Sequence, residues 1–141
     1  MPTFFSASGC AAAVFVCALV TAEGRGAQET PSTVKDVMLT MTVPASTVIF
    51  EAQSEPPATD AAWIAVQKAA QMLAESGRLL ARPPLTKNDA DWTDMAAALV
   101  TEAEKTLAVA GRRDAAALAE AGDAVYLTCE TCHGRFLAPA Q

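Results

Sequence analysis

The chain has 141 residues, enough for one domain, and 52% of them are hydrophobic although only 6% are aromatic. Much of the apolar content is alanine, which favours helices that pack closely through small side chains. The formal net charge is −6 and the sequence contains no basic cluster. These features argue against a nucleic-acid partner and favour a small helical domain.

An apolar segment near the N-terminus predicts a secretory signal peptide. Residues 10–20 are uncharged and apolar, a run that is short for a transmembrane helix. Small residues follow, so we expect cleavage after Ala22 or Ala27 and export to the periplasm. An uncleaved anchor is the alternative, because no basic residue precedes the run. Cleavage after Ala27 would make residues 1–27 the signal peptide and residues 28–141 the mature domain.

The first helix after the signal is predicted from a capping pattern and an apolar stripe. Asp36 follows Thr33 by three residues, as in a capping box. Pro44 interrupts the segment and should kink it, because its ring removes a hydrogen bond near Thr40. Residues 55–57 (EPP) end the helix. The apolar stripe comprises Val34, Val37, Met38, Met41, Ala45, Val48, Ile49 and Ala52.

Three further amphipathic helices are predicted, over 59–82, 89–110 and 114–136. Helices of this length measure about 30 Å, and short connections between them make neighbours antiparallel. The expected fold is therefore an all-α, antiparallel, up-down four-helix bundle. The predicted inward positions are Trp63, Val66, Ala70, Leu73, Gly77 and Leu80; Trp92, Met95, Leu99, Ala103 and Thr106; and Leu118, Ala121, Val125, Cys129, Cys132 and Phe136.

The sequence CETCHGRF in the last helix contains the only histidine of the chain. Cys129, Cys132 and His133 are spaced i, i+3 and i+4, so all three project from one helix face. Two such thiols can add to the two vinyl groups of a haem, and the histidine can bind the iron. Cys10 and Cys17 lie in the predicted signal peptide. The motif therefore predicts covalent attachment of haem c, which is completed outside the cytoplasm and agrees with export.

Other chemistry for the same residues is less well supported. A structural zinc site needs four ligands, and the domain offers two cysteines and one histidine. A thioredoxin-like redox pair needs a βαβ context, and no segment resembles a strand. A disulfide between positions i and i+3 of a helix would be strained. These alternatives leave the adjacent histidine unexplained.

The chain resembles the class II cytochromes c, the group that includes the cytochromes c′ and their low-spin relatives. Residues 121–137, AGDAVYLTCETCHGRFL, resemble the haem helix of that family. Residues 32–52, STVKDVMLTMTVPASTVIFEA, resemble the first helix of a periplasmic subgroup. The resemblance implies one covalent haem per chain on Cys129 and Cys132, with His133 as the fifth iron ligand.

The sixth iron ligand depends on the same resemblance. Low-spin members place a methionine of the first helix on the iron, and cytochromes c′ leave that side open. Met38 is the candidate whose position matches the family pattern, and Met41 is the alternative. Both are also explained as core fillers, since methionine packs irregular gaps well. Tyr126 lies one turn before Cys129, where it either contacts the haem edge or packs against other side chains.

The sequence therefore predicts a periplasmic electron carrier with a His/Met-ligated haem and no enzymatic activity. A five-coordinate protein that binds NO or CO is the alternative, and a structural bundle with a vestigial haem is a third. No nucleophile–base pair accompanies the motif. The expected partners are redox proteins that the sequence does not specify, with no nucleic acid and no membrane insertion after signal cleavage. A homodimer is compatible with this interpretation.

Overall fold

The computed structural model describes residues 30–137, all of whose regular structure is helical. The predicted signal peptide lies outside the described residues. Helix α1 runs continuously through a π-helical turn into α2, and we call these three segments together the first helix. The bounds are α1 Val34–Val37, the π turn Met38–Thr42, α2 Val43–Ser54, α3 Asp60–Leu80, α4 Ala90–Arg112 and α5 Ala115–Phe136.

Polar residues fix the start of each long helix. Thr33, Thr59, Asp89 and Asp114 are the N-caps, and each side chain accepts a hydrogen bond from a backbone N–H of the first turn. The predicted capping box is confirmed: the Asp36 N–H donates to Thr33 Oγ1 at 3.1 Å, and the Thr33 N–H donates to Asp36 Oδ2 at 3.0 Å. The hydrogen bonds from Thr33 hold the pKa of the Asp36 carboxyl below its usual value.

The four helices form a closed ring of neighbours. The first helix packs against α3, α3 against α4, α4 against α5, and α5 against α2. This order confirms the all-α prediction and agrees with an up-down bundle. Helices α3 and α4 approach each other closely at Gly77, where a methyl group would lie 2.8 Å from Val100 Cγ2 and 3.1 Å from the Ala96 carbonyl oxygen.

The core consists of two clusters of buried side chains. A smaller cluster packs around Trp63 and Leu118, towards the end of the bundle where α3 and α5 begin. A larger cluster surrounds Leu73 and extends to Trp92, near the opposite end. All six inward positions predicted for α3 are buried, whereas Cys129, Cys132 and Phe136 of α5 are only half-buried. The last turns of α5 therefore border a less tightly filled region.

The interruption expected at Pro44 takes the form of the π turn. Proline has no N–H to donate to the Thr40 carbonyl, so a regular α-helical hydrogen bond is absent there. The helix widens just before this point, and the Val43 N–H donates to the Met38 carbonyl oxygen, five residues back. Single π turns inside α-helices often occur at functional sites. The consequence here is that Met38 and Thr42 lie at the two ends of a widened turn.

The C-terminal end of α4 lies slightly beyond the predicted one. The helix continues through Gly111 to Arg112 and ends at Arg113, whose φ of 58° is left-handed. The positive φ belongs to Arg113 and not to Gly111, because Gly111 is still part of the helix. The Arg113 side chain forms an ion pair with Asp60 at 2.7 Å, which joins the end of α4 to the start of α3.

Candidate functional site

A largely apolar cavity opens between the helices at one end of the bundle. Its empty volume is about 470 Å³, including the part open to solvent, and only a small part of it admits a water-sized sphere. Every long helix contributes to its wall. The lining residues are Met38, Thr42, Leu80, Trp92, Met95, Ala96, Leu99, Thr128, Cys129, Cys132 and His133, and we call it the cysteine cavity.

One wall of the cysteine cavity is the last part of α5. Cys129 and Cys132 are half-buried free thiols on this wall, and His133 lines the same cavity from an exposed position. Burial raises the pKa of both thiols above the ordinary cysteine value, and the nearby Lys87 ammonium partly offsets this at Cys132. The i, i+3, i+4 spacing thus places two thiols and an imidazole along one apolar cavity.

A second part of the wall comes from the π turn of the first helix. Met38 and Thr42 both line the cavity, four residues apart on the same side of the helix. The Thr42 side chain is buried, with 5% of its surface exposed, and its hydroxyl has no hydrogen-bond partner among the described residues. Met38 and Thr42 are therefore the part of the first helix that borders the cavity.

An aromatic pair lies at the start of α4, where Trp92 lines the cavity. The Trp92 and Phe136 rings meet edge to face with centroids 5.1 Å apart, and Trp92 Nε1–H donates to the Leu80 carbonyl oxygen at 2.8 Å. Lys87 Nζ lies 4.9 Å from the Trp92 ring centroid. A cation stacked on aromatic rings is held in place by the ring quadrupole. This arrangement fixes one positive charge close to Cys132.

Met41 and Tyr126 lie apart from the cysteine cavity. Met41 lines a separate groove with Met72 and Leu79, between the first helix and α3. Tyr126 is 57% exposed, and its ring meets the edge of Phe50 with centroids 6.1 Å apart. Of the two candidate methionines, the structure thus brings only Met38 into the cavity that Cys129, Cys132 and His133 line.

The donor set of the cysteine cavity fits a covalently attached haem. Two free thiols and the only imidazole of the chain line the cavity from α5, and the methionines Met38 and Met95 line it from the first helix and from α4. The remaining lining is mostly aliphatic and aromatic, as an apolar ring system requires. Thr42 adds a buried hydroxyl that has no partner among the described residues. A haem is larger than the present cleft, so the helices would have to separate for one to enter.

Thr42 and Lys87 are site residues that the sequence analysis missed. Thr42 follows Met38 by four residues, so the two lie on the same helix face. It was missed because only apolar residues were counted when the buried face of the helix was predicted. Lys87 comes from the loop between α3 and α4, and no local pattern predicts its place beside Trp92. Helical spacing could have indicated Thr42, whereas the position of Lys87 depends on tertiary packing.

Other site types have no support in the part of the chain that the structure describes. No three His, Cys, Asp or Glu side chains within residues 30–137 gather into a metal-binding group. No helix in the same range combines the length and apolarity that a membrane span requires.

Comparison of the chain with protein-family models, curated proteins and solved structures finds no match. The resemblance to class II cytochromes c therefore rests on the motif, its helix and the first-helix pattern. The residues that line the cysteine cavity are therefore the basis for proposing a function.

Proposed function

We propose that the protein is a periplasmic c-type cytochrome that carries one electron on a haem held in the cysteine cavity. The observation that supports this most directly is the shared lining: Cys129, Cys132, His133 and Met38 all line one apolar cavity. Two thiols, an imidazole and a methionine thioether, which the lining offers at Met38 and also at Met95, match the requirements of a c-type haem.

Each side chain has a separate role in this proposal. Cys129 and Cys132 would hold the haem on α5 through thioether bonds to its vinyl groups. His133 of α5 and Met38 of the first helix would be the iron ligands. A methionine opposite histidine raises the reduction potential and suits electron transfer. The bound haem would supply the ferric/ferrous couple, which takes one electron from a reduced donor protein and passes it to an oxidised acceptor.

The two thiols are available for attachment to a haem. Both are free and lie close together on α5, and burial raises the pKa of each, so they are protonated near neutral pH. A pair of exported cysteines is exposed to oxidation unless it reacts with another group. Attachment of haem consumes both thiols, and the predicted signal peptide would deliver the chain to the compartment where that attachment takes place.

The exposed position of His133 also suits an electron carrier. Since this residue lines the cavity from the surface of the bundle, one edge of a bound haem would be accessible to partner proteins. Lys87, beside Trp92 and Phe136, places a positive charge at the same end of the molecule. This end of the molecule is therefore where we expect a redox partner to dock.

The proposal is tested by the optical spectrum and potential of protein exported together with a c-type maturation system. We expect reduced-minus-oxidised bands of a low-spin c-type haem and reversible one-electron titration. A Cys129→Ala/Cys132→Ala variant is the control, since it retains His133 and Met38 but lacks both attachment points. A wild-type chain without haem absorbance would contradict the proposal. A high-spin spectrum would favour the five-coordinate alternative that binds NO or CO.

A further inference from the structure

Lys87 is an exposed, positively charged side chain that is held beside the cysteine cavity. Its Nζ lies 4.9 Å from the centroid of the Trp92 ring and 5.7 Å from that of the Phe136 ring, within the range of a cation–π contact for both. Trp92 lines the cavity, and its indole N–H is fixed by a hydrogen bond to the Leu80 carbonyl oxygen. The two rings therefore keep the ammonium group next to the cavity wall.

The loop between α3 and α4 explains why Lys87 reaches this place. Leu85, two residues earlier, is buried with 7% of its surface exposed and belongs to the larger core cluster. The backbone N–H groups of Leu85 and Thr86 both donate to the Arg82 carbonyl oxygen at 2.9 Å. A buried anchor and a hydrogen-bonded turn thus hold the loop just before Lys87, which limits the positions open to its side chain.

Within residues 30–137, no carboxylate forms an ion pair with Lys87. The other cation on the Phe136 ring, Arg135, has its guanidinium carbon 5.3 Å from the ring centroid and is paired with Asp91 at 3.2 Å. The remaining ion pairs of the described residues involve other cations, namely Arg78, Lys105 and Arg113. The positive charge of Lys87 is therefore not cancelled by an adjacent carboxylate of this part of the chain.

We propose that Lys87 raises the reduction potential of a haem bound in the cysteine cavity, because its positive charge favours the ferrous form over the ferric form. Reduction makes the iron site less positive by one unit, so the repulsion between the site and the ammonium group decreases. The apolar lining strengthens this effect, since charges interact more strongly through a medium of low dielectric constant. This inference rests on the proposed haem and concerns its potential alone.

Two other roles of Lys87 would leave the potential unchanged. A side chain that only covers Trp92 and Phe136 with its aliphatic stem acts through packing. A charge that only attracts a redox partner acts on the rate at which the two proteins associate. Neither role changes the equilibrium between the ferric and ferrous forms of the isolated protein, so its potential distinguishes the proposed role from both.

The experiment is a redox titration of the isolated, haem-loaded protein at low ionic strength. Lys87→Gln removes the charge and keeps a long polar side chain. We expect it to lower the equilibrium constant for reduction about tenfold, which is about 59 mV for a one-electron couple. Lys87→Arg retains the charge and stacks on aromatic rings, so it should stay within about twofold of the wild-type constant. Lys68→Gln is the matched control and should leave the potential unchanged, because this exposed lysine lies about 18 Å along α3 from Leu80, the α3 residue that lines the cavity.

The outcomes separate this inference from the proposed function. A wild-type potential in Lys87→Gln overturns the inference, and so does an equal shift in Lys87→Gln and Lys87→Arg, which would mean that the side chain acts through packing. Salt should narrow the difference between wild type and Lys87→Gln, because the ammonium group is exposed. Haem content is measured first by intact mass. A chain without covalent haem contradicts the proposed function and this inference with it, whereas a haem-loaded Lys87→Gln protein with an unchanged potential contradicts only the role of Lys87.

Discussion

Gly77 sets the distance between α3 and α4 beside the cysteine cavity, which makes Gly77→Ala an informative perturbation. A methyl group at this position would lie 2.8 Å from Val100 Cγ2, 3.1 Å from the Ala96 carbonyl oxygen and 3.3 Å from the Val100 backbone nitrogen. Two of these three atoms belong to the α4 backbone and cannot rotate away. The substitution should therefore push α4 outwards at Ala96, which lines the cavity.

The magnitude follows from two opposing effects. Alanine is about 1 kcal/mol more favourable than glycine inside a helix. Overpacking of a close contact costs about 1–3 kcal/mol. Gly111 provides the matched control, because it also lies in the last turn of its helix but a methyl group there meets no atom within 4 Å. Since the helical gain is common to both, the two variants should differ in free energy of unfolding by about 1–3 kcal/mol.

Urea unfolding followed by circular dichroism measures this difference. We expect Gly111→Ala to unfold at a higher urea concentration than the parent protein and Gly77→Ala at a lower one. The slopes of the transitions should be equal, because the surface exposed on unfolding hardly changes. If Gly77→Ala is as stable as Gly111→Ala, α3 and α4 do not approach each other as described, and the wall of the cysteine cavity is wrongly placed.

Three further predictions concern the site. Met38→Ala should convert the ferric protein from low spin to high spin, as read from its absorption spectrum. Met41 lines a different groove, so Met41→Ala should leave the protein low-spin. Equal effects of the two substitutions would contradict the assignment of Met38 as the iron ligand. In the folded, haem-free chain the raised pKa values of Cys129 and Cys132 leave less thiolate at a given pH, so both should be alkylated more slowly at pH 8 in buffer than in urea. Mass spectrometry follows the two rates, and equal rates would contradict the burial of the thiols. The haem-free chain should also melt with less cooperativity than the haem form, because the cavity then lacks its apolar filling, and superimposable calorimetric transitions would contradict this.

The helices were predictable because local signals at their ends agree with their apolar spacing. Thr33, Thr59 and Asp114 cap the helices where the sequence places them, and the inward positions of α3 repeat with heptad spacing. The placement of Cys129 beside His133 on one helix face follows from the same geometry. These features depend on residues within a few turns of one another, so tertiary structure adds little to them.

The remaining features depend on contacts that sequence spacing does not encode. Pro44 predicts a disturbance of the first helix, but it does not specify that the disturbance takes the form of a π turn. Met38 and Met41 look equivalent on the apolar stripe, and the widened turn directs them to different grooves. Lys87 reaches Cys132 only because the loop after α3 folds over Trp92.

The central claim, that Cys129 and Cys132 hold a haem covalently, is tested most directly by the intact mass of the denatured protein. The chain is exported together with a c-type maturation system, extracted with acidic acetone and weighed. For the wild-type chain we predict a mass higher than that of the polypeptide by one haem, and this haem should remain after extraction. Cys129→Ala or Cys132→Ala should retain a singly attached haem with a shifted spectrum, and the double variant should retain no haem. A wild-type mass equal to that of the polypeptide alone, with all haem lost to the acetone, would contradict it.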